Sequence, residues 1–183
     1  MVNVPPSRRE KKTSIKNEAI RFLLVWGAGF ALLYMILSPF ESLLQGVETE
    51  HVRFLLERVG VSTTAGGGVP FQFVMGNKTI EISPLCSGLV EMILLTSAIF
   101  ATRGEKIGAR IQGIAAGLIL LYGFNLFRMV VTLLQLEYTS LSFAAATHDL
   151  LFRLLLIVGF ATIYGAWLHR RKVWEWGREK GLV

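Results

Sequence analysis

The sequence predicts an all-α polytopic membrane protein with about four transmembrane helices, a small outer amphipathic helix and a β-hairpin. Three observations lead there. Hydrophobic residues make up 52% of the 183-residue chain, its mean hydropathy is +0.52, and they come in long blocks rather than periodic stripes. The basic residues behind the net charge of +6 flank those blocks in three clusters, a pattern of membrane topology and not of nucleic-acid binding. The single cysteine, Cys86, excludes an intrachain disulfide and CxxC-type metal clusters. No cofactor, metal or nucleic-acid partner is expected.

Residues 1–19 are polar and basic (Arg8, Arg9, Lys11, Lys12, Lys16) and read as a disordered cytoplasmic tail. A single transmembrane domain, 20–169, follows. Its first apolar block, Ile20 to Leu37, is ended by Pro39. Ser38-Pro39-Phe40-Glu41 replaces a small-residue cleavage site, so the block reads as a retained anchor. Residues 41–83 form an outer insertion. In it Val52, Leu55, Leu56 and Val59 make a helical stripe opposite Glu48, Glu50, Arg53 and Glu57, predicting an amphipathic helix on the outer leaflet. After Gly66-Gly67-Gly68, the alternation Phe71/Phe73/Met75 and Ile80/Ile82 around Gly76-Asn77 predicts a hairpin resting on the helix mouths, because an isolated hairpin is marginal in water.

Three further blocks span Pro84 to Ala101, Ile107 to Leu134 and Leu150 to Leu168, and a basic cytoplasmic tail, 170–183, ends the chain. The N-terminal cluster, the loop Arg103–Lys106 with Arg110, and Arg170-Arg171-Lys172 fall on one side if there are four spans. The positive-inside rule then places both termini in the cytoplasm of a multi-pass plasma-membrane protein. Residues 41–83 and 135–149 face outward.

Three polar positions could carry chemistry there. Ser83 and Pro84 are helix-start residues, which puts Cys86 in the first turn of the second span at the outer face. A thiol at a helix N-terminus has a lowered pKa, and the open N–H groups can hold an oxyanion. The plain alternative is a small packing residue. Arg128 lies in an otherwise apolar helix, where an arginine costs at least about 2.5 kcal/mol. It stands about 9–12 Å before the expected outer end, with Asn125 on its face at i−3. A structural ion pair with Glu91 is the alternative. His148 and Asp149 open the last span. Asp149 reads as a helix-dipole acid beside Thr147, with Arg153 as its partner, and His148 as a base for the thiol. His51 belongs to the amphipathic helix and His169 to the cytoplasmic end.

Pro84-Leu85-Cys86-Ser87-Gly88, Asn125-Leu126-Phe127-Arg128 and His148-Asp149 before a last apolar span together resemble the exosortase/archaeosortase family. The resemblance implies a membrane-embedded cysteine transpeptidase with Cys86, Arg128 and His148 as its catalytic set and Arg153 as a rival for the third position. The implied partners are secreted proteins with a C-terminal tripartite sorting tail: a recognition motif, a transmembrane helix and a basic cluster. Cleavage would form an acyl-thioester, and an acceptor, with a membrane lipid as candidate, would resolve it. The larger members have about eight spans, and this chain is expected to keep only the core. A non-enzymatic subunit held together by Arg128 and Glu91 is the rival reading. A small transporter ranks below it, since the inner helix halves offer little polar path beyond Gln112.

Overall fold

The computed structural model describes residues 8–66, 71–147 and 153–179, and among these the chain is mostly helical. Helix α1 runs Arg8–Leu37, so from Arg8 onward the expected disordered tail is instead helix. Arg, Lys and Glu are good helix formers and extend the apolar turns that follow them. Pro39 ends α1 in a 3-10 turn, Ser38–Phe40, and α2 (Glu41–Arg58) starts afresh. Leu23, Leu24, Leu32 and Met35 of α1 are each more than half exposed, a row of apolar surface that suits lipid. The opposite side packs on α3 (Leu89–Ala101), where the Trp26 indole donates to the Leu94 carbonyl at 3.1 Å.

Two helical stretches, Lys16–Arg58 and α4 (Ile107–Tyr138), contain windows long and apolar enough to cross a membrane. In the first stretch that window belongs to α1. Helix α2 carries Glu41, Glu48, Glu50, His51, Arg53, Glu57 and Arg58, too many charges for hydrocarbon.

The inward face of α2 is Gln45, Glu48, Thr49, Val52 and Leu56. This corrects the expected stripe: Val59 is 55% exposed, while Glu48, placed on the outer face by the sequence reading, has no exposed surface. Glu48 precedes Val52 by one helical turn and Leu56 by two, so all three share a side. Val52 and Leu56 join Val61, Phe73, Met75, Ile82, Met129 and Leu133 in one core. On the far side Leu43, Val47 and Phe54 stay exposed, an apolar row fit for a membrane surface.

That core lies under a three-stranded antiparallel sheet, β1 (Thr63–Ala65), β2 (Gln72–Met75) and β3 (Lys78–Glu81), in sequential order. β2 and β3 connect through Gly76-Asn77 with Met75 opposite Lys78, and Gly76 takes the positive φ (59°) that such a two-residue turn requires. Strand β1 had no counterpart in the sequence reading. The sheet rests on α4, which passes beyond the expected Leu134 to Tyr138. Lys78 Nζ donates to the Leu136 carbonyl at 3.0 Å and pairs with Glu137 at 3.2 Å, meeting carbonyls that the helix end leaves open.

The last elements are α5 (Leu141–Ala146) and α6 (Arg153–Glu179), which continues as helix through the basic 170–172 segment. α3, α4 and α6 share a second core of Leu95, Ile99, Leu121 and Trp167. A Cβ at Gly117 would overlap Leu95, so the bare backbone permits this close packing. At one end of these helices Arg110 donates to the Phe100 and Thr102 carbonyls and Arg170 pairs with Glu105. Arg21 of α1 and Arg103 line one cleft. Arg21, Arg103, Arg110 and Arg170 therefore gather at the same end.

Candidate active site

Ser83-Pro84-Leu85-Cys86 folds as a 3-10 turn, Pro84–Cys86, with Ser83 extended before it and the Cys86 amide bonded to the Ser83 carbonyl at 2.8 Å. Gly88, at φ +66°, then breaks the chain before α3 begins at Leu89. Cys86 therefore does not lie in the first turn of the span helix, as the Ser-Pro start signal predicts. The left-handed glycine separates it from the α3 amides, and the helix-dipole argument for its thiolate falls away. The Ser83 hydroxyl donates to the Cys86 sulfur at 3.3 Å, and the cysteine is half-buried. A side chain at Gly88 would meet Asn125 at 3.2 Å in addition to the backbone strain.

Helix α4 holds this turn. Asn125 Nδ2 and Arg128 Nη2 both donate to the main-chain carbonyl of Cys86, each at 2.9 Å. They stand three residues apart on one face, and each is only 1% exposed. Arg128 lies about 31 Å along α4 from Ile107 at about 1.5 Å per residue, close to the roughly 30 Å of a hydrocarbon core. The thiol turn is thus a full membrane thickness away from the basic end.

Helix α2 closes the site from the other side. Glu48 Oε1 accepts a 3.0 Å bond from the same Asn125 amide group, Gln45 Nε2 donates to the Ile82 carbonyl at 2.7 Å, and Ser87 Oγ donates to Glu41 at 3.3 Å. One turn further, His51 Nδ1 and the Tyr122 hydroxyl are 2.7 Å apart. Burial pushes the Glu48 carboxyl up to about 8; the Asn125 bond and the Arg128 charge pull it down, and Cys86 and Glu41 add to the rise. Among the described residues Glu48 Oε2, Asn125 Oδ1 and Arg128 Nε are buried without a hydrogen-bond partner.

Of the residues singled out in the sequence, Cys86 and Arg128 meet here. His148 and Asp149 lie outside the described residues, and Arg153 opens α6. The Arg128–Glu91 pair is not formed: among the described residues the ion pairs are Arg53–Glu50, Lys78–Glu137 and Arg170–Glu105. The carboxyl that feels the Arg128 charge is Glu48, which the sequence reading missed. Its signal was in plain view, a glutamate one turn before a buried valine. No three described His, Cys, Asp or Glu side chains are grouped to hold a metal. The site thus presents a half-buried thiol on a turn whose carbonyl is held by two buried donors of α4.

The family model described as Transmembrane exosortase (Exosortase_EpsH) matches residues 17–165 of the chain. No curated protein and no solved structure matches it.

Proposed function

Because the chain belongs to the transmembrane exosortase family, we propose that it is a membrane cysteine transpeptidase acting on C-terminal sorting tails of secreted proteins. The observation that carries this reading is the double clamp: two buried donors from α4 fix the turn that bears the only thiol. A merely packed cysteine needs no such investment of buried polar groups, each of which is costly unless satisfied.

In the proposed reaction the Cys86 thiolate attacks a backbone carbonyl just outside the substrate's membrane anchor. The C–N bond breaks, the amine leaves with a proton, and the substrate remains as an acyl-thioester on sulfur. A nucleophile such as a lipid head-group amine then displaces the sulfur. Arg128, always charged, supports the thiolate and the developing oxyanion. His148 is proposed as the base and then the acid, with Arg153 as its rival.

The proposed frame is four spans with both termini cytoplasmic, which sets Cys86 at the outer face where secreted substrates arrive. A membrane-impermeant maleimide added to intact cells should label Cys86; protection until the cells are lysed would invert the orientation and remove the substrate class. The activity itself is tested by co-expression with a secreted protein that carries a motif, a transmembrane helix and a basic cluster at its C-terminus. The tail should be removed by the wild-type chain and retained with His148→Ala, whereas Arg153→Ala should lower yield more than turnover per folded molecule. The reverse ranking would transfer the proton role to Arg153.

A further inference from the structure

Among the described residues Glu48 is the one carboxyl that the fold buries completely against the thiol turn, and the mechanism above gives it no task. It reaches that place because the inward face of α2 changes from Val52 and Leu56 to Thr49, Glu48 and Gln45 where it crosses α4. Its Oε1 shares the Asn125 amide group with the Cys86 carbonyl. Its Oε2 is buried with no hydrogen-bond partner among the described residues. An amide would satisfy Asn125 equally well, so the acid adds only one thing, a proton that can leave.

We propose that Glu48 is a positioning residue that governs the reactivity of Cys86, its proton deciding how much of the Arg128 charge the thiol feels. With the proton in place, Glu48 is neutral and the guanidinium acts undiminished on the Cys86 turn. Without it, a carboxylate offsets Arg128 and opposes a second anion on sulfur. The groups acting on Glu48 are Arg128 and Asn125 from α4, Cys86 from the turn and Glu41 on α2 itself. Tyr122 of α4, hydrogen-bonded to His51, also feels its charge. Burial holds the Glu48 proton up to about pH 8, so the change of state falls just above neutrality. The inference rests on Cys86 being the nucleophile, but its test needs no substrate.

Iodoacetamide alkylates thiolates, and Cys86 is the only thiol in the chain. The rate of its alkylation is measured against pH on the purified full-length protein in detergent. In the wild type the rate should climb, break near pH 8 as Glu48 ionises, and then climb less steeply. Glu48→Gln, which imitates the protonated acid, should follow a single ionisation and react about fivefold faster at pH 9. Superimposable profiles for the two proteins overturn the proposal. So does a single-step wild-type profile, a result that depends on no variant folding. Failure of tail cleavage in cells leaves these profiles untouched, so the two readings fail separately.

Discussion

Cys86→Ala is expected to leave the substrate tail in place while the chain folds almost as before. The substitution removes one sulfur from a half-buried position at the edge of the α2–sheet core, a change of about 1 kcal/mol. The chemical loss is of another order, since deleting the nucleophile of a covalent mechanism removes at least about a thousandfold of rate. Cleavage is read as the size of a secreted reporter bearing the tail, and folding as the melting of the purified protein. Cys86→Ser should retain a trace of activity, because an alcohol ionises far less readily than a thiol. Hydroxylamine, which cleaves thioesters, should release any substrate trapped on the wild-type protein. Wild-type processing by Cys86→Ala would rule out the transpeptidase and leave the non-enzymatic subunit, in which the polar clamp serves only to hold the bundle.

Arg128→Met should cost both activity and stability, in a ratio that identifies its role. Methionine fills much of the same space but withdraws the 2.9 Å bond to the Cys86 carbonyl, leaving Asn125 to hold the turn alone. Loss of a donor that stabilises developing charge lowers turnover by about a hundredfold or more. The stability loss should be about 2 kcal/mol, below the ~3–5 kcal/mol seen when a buried charge is left unpaired. The difference arises because Glu48, with its carboxyl pushed up to about 8, is neutral at pH 7 and is not stranded as an ion. Arg128→Lys keeps a charge but loses the planar fork, so it should recover stability better than turnover. Full turnover per folded molecule in Arg128→Met would make the arginine a structural group only.

Much of the architecture is legible from simple sequence rules. Pro39 interrupts the α-helix because it lacks an N–H and its ring crowds the preceding turn, and the alternation of Phe73 and Met75 places both under the sheet. Asn125 and Arg128 share a target because three residues apart on a helix is one face. The misses have equally definite causes. Glu48 was assigned outward by its charge, although its spacing from Val52 set it inward; tertiary partners on α4 outweighed polarity. Ser83 and Pro84 were sound signals for a helix start, yet the helix they open lasts a single 3-10 turn, because Gly88 adopts a left-handed backbone against Asn125. The proposed third catalytic residue, His148, lies outside the described residues, so its role is read from the sequence.

The atom that α4 grips is a main-chain carbonyl, and every residue type has one. The placement of position 86 is therefore independent of what its side chain can do. Chemistry and shape are separable here: a chain whose thiol is replaced still offers Asn125 and Arg128 the carbonyl they grip, so the nucleophile can be lost without the mould that presents it.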